Sequence, residues 1–234
     1  NYSSVDEPNQ ADLIILNTCH IREKAAEKIY SELGRLKKIN LNSERNTKVA
    51  VAGCVGQAEG QEIIKRSPIV DLVFGPLTYH QLPEMLDEIE TRPGQPSKKL
   101  VNIDIPEEDK FLQLKDSRKN LKSISSLLSV QEGCDKFCSF CVVPYTRGVE
   151  ISRPAKQILN EAQELIDIGA KEIILLGQNV NAWSQSNGKD TDMTFAQLIN
   201  EISELNIERI RYITSHPSCL LYTSDAADDL WWGG

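Results

Sequence analysis

Leu13-Ile14-Ile15-Leu16-Asn17-Thr18-Cys19 is a continuous apolar run that breaks onto polar residues and ends on a thiol. A short run of this kind, with no alternation and a helical pattern after it, predicts a buried strand of a parallel sheet. The helical pattern is Ile21 to Lys38, where Ile21, Ala25, Ile29, Leu33 and Leu36 recur at helix spacing. Val49-Ala50-Val51-Ala52-Gly53-Cys54 repeats the first pattern, again ending on a cysteine, and Leu72 to Phe74 is a third apolar run. Helices are predicted over about 59–65 and 79–90. Strand, helix, strand, helix, strand is the order of a doubly wound α/β unit, here with its start cut away. The chain opens on Asn1 rather than Met, so the natural start is expected upstream.

Outward from that unit, residues 91–122 turn to Pro, Gly, Lys, Asp and Glu with little periodicity, which predicts a linker between a first domain at 1–90 and a second at 123–217. Its basic residues, Lys98, Lys99, Lys110, Lys115, Arg118, Lys119 and Lys122, read as a solvated charged loop before they read as a polyanion site. A second series follows, with a strand from Ile124 to about Gln131 and a helix from Ala155 to Ile168. A strand at 173–176, a helix at 195–205 and a strand at 210–213 complete it. Repeated strand–helix units predict about half of a β/α barrel, with chemistry on the loops after the strands. Residues 218–234 break the pattern abruptly and are set aside as a non-native tail.

With 234 residues, 40% of them hydrophobic, the chain has material for one large or two ordinary cores. The net charge of −8 argues against a strongly basic nucleic-acid surface over this stretch as a whole. No apolar run approaches the roughly 18 residues of a membrane span. Six cysteines unevenly placed at 19, 54, 134, 138, 141 and 219 do not make a secreted disulfide framework; thiolate ligands in a reducing, cytoplasmic setting fit better.

Cys134-Asp135-Lys136-Phe137-Cys138-Ser139-Phe140-Cys141 puts three thiols on one loop directly after a predicted strand. Soft ligands at this spacing suit an iron–sulfur cluster or zinc. Structural zinc wants a fourth Cys or His nearby, and the next is His216. Three ligands leave one iron open to bind a small molecule. The C-x3-C-x2-C spacing, with an aromatic before the last cysteine, resembles the radical S-adenosylmethionine superfamily. That resemblance implies a 4Fe-4S cluster on Cys134, Cys138 and Cys141, S-adenosyl-L-methionine on the open iron, and Phe140 beside its adenine.

Cys19 and Cys54 each end a predicted parallel strand, and in an open α/β sheet such ends face one crevice. Taken alone they read more readily as small buried residues than as ligands. The words around them shift the balance. Asn17-Thr18-Cys19-His20-Ile21-Arg22-Glu23-Lys24-Ala25, Gly53-Cys54, Gln131-Glu132-Gly133-Cys134, Val143-Pro144-Tyr145-Thr146-Arg147-Gly148 and Leu176-Gly177-Gln178-Asn179-Val180-Asn181 resemble, in order and spacing, the methylthiotransferase family and its tRNA-modifying branch. The resemblance implies a second 4Fe-4S cluster on three cysteines, of which Cys19 and Cys54 match the second and third. The first is expected upstream of Asn1. It also implies insertion of sulfur and a methyl group at carbon 2 of N6-isopentenyladenosine beside the anticodon. A tRNA substrate, an electron donor such as flavodoxin, an unidentified sulfur donor and a monomeric, cytoplasmic protein complete the expectation. With half a barrel and no RNA-binding domain, the stretch by itself is expected to be inactive.

Other candidates carry a bland reading beside the functional one. Gly177, Gln178 and Asn179 follow a barrel strand and fit a cofactor contact or a turn with an amide cap. Arg147 fits a phosphate or carboxylate ligand or an ordinary surface arginine. Val149 stands where the family pattern leads one to expect a basic residue. His216, before Pro217, is read as a family motif or a structural histidine. Gly53-Cys54-Val55-Gly56 lacks the third glycine of a nucleotide fingerprint. The rival functions are a sister methylthiotransferase, acting on a ribosomal-protein aspartate or a threonylcarbamoyl-adenosine, and a non-catalytic iron–sulfur or zinc module.

Overall fold

The computed structural model describes residues 2–20, 23–41, 47–90, 98–105, 111, 123–186 and 193–219. The chain forms two compact units. The first comprises residues 1–110 together with 138–147, and the second 111–137 with the remainder.

The first unit runs β1 (Leu13–Asn17), α1 (Glu23–Leu41), β2 (Lys48–Ala52), α2 (Cys54–Glu59), α3 (Gln61–Arg66), β3 (Leu72–Phe74), α4 (Leu82–Ile89) and β4 (Leu100–Asn102). The four strands are parallel in the order β1-β2-β3-β4. Helices cover both faces of this sheet, because alternate residues of β2 and β3 belong to different cores. Val49, Val51 and Val73 pack with Ile29, Leu33, Leu36 and Ile63. Ala50, Ala52, Leu72 and Phe74 pack with Met85 and Ile89. Full burial on both sides is why these strands read as unbroken apolar runs. The doubly wound parallel sheet predicted from sequence is therefore present.

Two details differ. The single helix predicted at 59–65 is two short helices, α2 starting earlier at Cys54, with the break at Gly60, whose φ of 46° a helix cannot continue through. A fourth strand, β4, lies within the stretch predicted as linker; three residues beside Lys98 and Lys99 are too brief a pattern to signal a strand. Those lysines meet the Glu88 carboxylate and the Pro68 carbonyl. Lys110, Lys115, Arg118, Lys119 and Lys122 lie outside the described residues, as do residues 220–234 of the tail.

In the second unit β5 (Ser125–Ser129) is followed by β6 (Gln131–Glu132). The chain then passes through the cysteine loop and α5 (Val143–Arg147), of which residues 138–147, all of α5 included, belong to the first unit. It returns in β7 (Ile151–Ser152), α6 (Ala155–Asp167) and β8 (Glu172–Leu176). After these come β9 (Ser184–Gln185), β10 (Met193–Thr194), α7 (Phe195–Ser203) and β11 (Arg209–Tyr212). β5, β8 and β11 form a parallel sheet with β8 central. Leu128, Ile173 and Leu175 pack with Ile158, Ala162 and Leu165 of α6 and Phe195, Leu198 and Ile202 of α7. Three parallel strands with crossover helices are the partial β/α barrel expected. The antiparallel pair β6–β7, which brackets the cysteine loop, was not legible at two residues per strand.

Candidate iron–sulfur sites

The first unit brings Cys19 and Cys54 together through strand register. β1 and β2 are parallel with Asn17 opposite Ala52, so each cysteine lies two residues beyond a paired position at one end of the sheet. The ladder continues past the strands, since Thr18 N donates to Ala52 O at 3.2 Å and Val55 N donates to Thr18 O at 3.3 Å. Gly53 makes this closure possible. Its φ is +87°, and a Cβ there would stand 2.5 Å from Asn17 Oδ1 and 2.7 Å from Thr18 O. Gly56 has a packing reason rather than a nucleotide-binding one: a Cβ would meet Phe74 O at 2.6 Å.

The result is a cavity of about 340 Å3 lined by Asn17, Thr18, Cys19, Gly53, Cys54, Pro76, Tyr79 and Arg147. Both cysteines are free thiols, Cys19 exposed and Cys54 half-buried. The Tyr79 ring is held edge-on against Phe74, with centroids 5.1 Å apart. Burial pushes the Tyr79 hydroxyl above its ordinary pKa; Arg147 pulls it down and Cys54 pushes it further up. Pro76, Tyr79 and Arg147 are the members of this site that sequence spacing did not connect to the two cysteines. Ile21 and Arg22, part of the motif after Cys19, lie outside the described residues.

The loop carrying Cys134, Cys138 and Cys141 is divided between the units, Cys134 with the second and the other two with the first. Within the first unit Cys141 N donates to Cys138 O at 3.0 Å, closing a turn. Phe140 sits in that turn at φ 64°, a left-handed conformation that a bulky residue seldom adopts, and its ring is fully exposed.

In the second unit the strand ends hold the start of the loop with side-chain amides. Gln131 Nε2 donates to Gly133 O at 2.6 Å, Gly133 N donates to Gln178 Oε1 at 2.6 Å, and Asn179 N donates to Gln131 Oε1 at 2.9 Å. Cys134 N donates to Gly148 O at 3.2 Å. Gly133 is forced by geometry, with φ +79° and a Cβ position 2.0 Å from Val149 O. Gly177 leaves room for Gln131, whose Oε1 would be 2.6 Å from a Cβ. Thus Gly177 and Gln178 serve the loop through Gln131 and Gly133. Asn179 is buried, its Nδ2 donates to Glu150 Oε2 at 2.9 Å, and its Oδ1 is buried without a partner. His216 is clasped by Asn181, which accepts from His216 N and donates to His216 O, both at 3.0 Å. These bonds fix the His216 backbone, while its Nδ1 meets Ser218 Oγ at 2.7 Å.

Arg153 carried no sequence signal. It is buried, pairs with Glu161 at 2.5 Å and donates to Ser129 O at 3.2 Å, while its own carbonyl accepts from Trp183 Nε1 at 2.9 Å. This ties β5, β7, α6 and the turn after β8 into one body.

The donor chemistry fits iron–sulfur ligation in kind, since no cysteine of either set is tied up in a disulfide. Among the described residues no three His, Cys, Asp or Glu side chains are gathered as one metal-binding group. Cys19 and Cys54 share a cavity, and Asn179 Oδ1 is a buried acceptor without a partner.

Residues 1–75 match the family described as uncharacterized protein family UPF0004, and residues 128–230 match the radical SAM superfamily. The chain is 55% identical over 230 residues to a tRNA-2-methylthio-N(6)-dimethylallyladenosine synthase of Ruegeria pomeroyi, covering 98% of this chain and 49% of the relative. Proteins of the same name from another Ruegeria species and from Bartonella quintana are 54% and 51% identical over 231 and 222 residues. These alignments cover 98% and 92% of this chain and 49% and 47% of the relatives. The chain thus spans about half the length of the curated relatives it matches. The cysteine loop thus lies in a radical SAM domain, and nearly the whole chain is more than half identical to proteins named tRNA-2-methylthio-N(6)-dimethylallyladenosine synthase.

Proposed function

We propose that the protein containing this chain is a tRNA methylthiotransferase that converts N6-isopentenyladenosine beside the anticodon to its 2-methylthio derivative. The observation that carries this reading is the Cys134-x3-Cys138-x2-Cys141 loop within a chain more than half identical to synthases of that name. Cys134, Cys138 and Cys141 would hold one 4Fe-4S cluster, and Cys19 and Cys54 would supply ligands to a second. When bound, the first supplies the electron that cleaves S-adenosyl-L-methionine to a radical able to take hydrogen from an unactivated adenine C–H, chemistry beyond any acid–base side chain at neutral pH.

The chain's own residues bind and orient. Gln131, Gly133 and Gln178 hold the entry to the cysteine loop, so Cys134 is presented from a fixed strand end. Phe140, turned outward by its left-handed backbone, offers an aromatic face for adenine. Asn179 Oδ1 offers a buried acceptor to a cofactor hydroxyl or ammonium group. The Cys19–Cys54 cavity has room for a sulfur-carrying group. Among the described residues no helix is long and apolar enough to cross a membrane, and a cytoplasmic protein working on tRNA with a flavodoxin-like electron donor accords with the cysteine usage.

The test is to express the full-length gene in a strain lacking the modification and to read tRNA nucleosides by mass spectrometry. Appearance of 2-methylthio-N6-isopentenyladenosine supports the reading. Its absence while another methylthio product appears would assign the protein to a sister activity.

A further inference from the structure

We propose that Arg147 is the positioning residue of the group held by Cys19 and Cys54, supplying a positive wall that raises the reduction potential of an iron–sulfur cluster there. This rests on the two-cluster reading above.

Three observations carry it. Arg147 lines the same 340 Å3 cavity as both thiols and belongs to the same compact unit. Its helix, α5, packs against α2, whose first residue is Cys54, so the guanidinium and the thiol ride on two helices in mutual contact. Tyr79, fixed by Phe74, lines the same cavity as a second polar group. A cluster ligated by thiolates is anionic and gains a further negative charge on reduction. A guanidinium at a partly desolvated wall therefore favours the reduced form, and its N–H groups can donate to sulfur. Lysine keeps the charge, whereas glutamine keeps only polarity and approximate size.

The measurement is the midpoint potential of each cluster in the anaerobically reconstituted full-length protein, followed by electron paramagnetic resonance. Loss of one signal in Cys54→Ala identifies the cluster concerned. In Arg147→Gln that signal is expected to remain and its midpoint to shift to more negative potential, with Arg147→Lys returning most of the way to wild type and the other cluster unmoved. Tyr79→Phe, which changes no charge, is expected to shift it less than Arg147→Gln. An unchanged midpoint in Arg147→Gln overturns the proposal, and a loss of tRNA affinity alongside it would make Arg147 a phosphate contact instead. An equal shift of both clusters also overturns it, since a general structural defect has no preference between them. If Cys54→Ala removes no signal, the two-cluster reading itself falls and the proposal with it.

Discussion

The two cysteine sites are built by opposite means. Cys19 and Cys54 are distant in sequence and meet because two parallel strands are in register, so their cavity is a by-product of a sheet buried on both faces. Cys134, Cys138 and Cys141 are close in sequence and owe their setting to a short loop, entered under the hold of Gln131 and Gln178 amides and turned at Phe140. A site made by register is as stable as its sheet. A site made by a loop depends on a few polar contacts, and a single backbone change can undo it.

Substitutions at the two forced glycines should expose this contrast most strongly. Gly133→Ala places a methyl group 2.0 Å from a backbone oxygen at positive φ, with no flexible side chain to yield. A loss on the order of 3 kcal/mol is expected in the second unit, with reduced iron binding by the loop, checked by denaturant unfolding and iron content. Wild-type stability would mean that the entry to the loop is not held as described. Gly53→Ala should cost less, roughly 2 kcal/mol, because its clash with backbone, 2.7 Å from Thr18 O, is milder than the 2.0 Å one at Gly133 and the other, at 2.5 Å, is with the Asn17 side chain, which can turn away. If Gly53→Ala proved the more damaging of the two, the register site would be the fragile one and the comparison would reverse.

The parts legible in sequence were those with local patterns. Apolar runs at 13–16, 49–52 and 72–74 marked the first sheet because both its faces are covered, and the cysteine spacing marked the loop. Arg147 and Tyr79 were not legible as partners of Cys54, because they reach its cavity through tertiary packing of α5 and of the turn after β3. Gln131 was quoted as part of a motif, yet its role as a double amide bridge depends on Gly177 being bare, which no spacing encodes. Arg153 was invisible for the same reason: one arginine in sequence carries no sign that it will be buried against Glu161.

A smaller effect is expected at the other end of the second sheet, away from either cysteine site. Glu172 accepts from Ser125 Oγ at 2.7 Å and faces Arg211 and Arg209 at 3.8 and 3.4 Å. The Ser125 hydrogen bond, then the two arginines, hold its carboxyl below the usual carboxylate value. A depressed folded-state pKa contributes stability above the unfolded value that is lost as pH falls through the folded one. Glu172→Gln should therefore lower Tm slightly at pH 7 and leave it unchanged near pH 3, read by calorimetry. A larger loss at pH 3 than at pH 7 would contradict the assignment. Iron binding at either site should be unaffected.

The central claim is that the two cysteine sets serve different halves of one reaction, and one assay in the full-length protein tests it. Reconstituted protein with tRNA, S-adenosyl-L-methionine and reductant is sampled for 5′-deoxyadenosine and for methylthiolated nucleoside. Cys138→Ala, which removes a thiol from the loop, is expected to abolish both products. Cys54→Ala, which damages only the register site, is expected to keep 5′-deoxyadenosine and lose the methylthio product. Full methylthiolation by Cys54→Ala would make Cys54 a packing residue, and loss of 5′-deoxyadenosine as well would show that the two sites do not divide the labour.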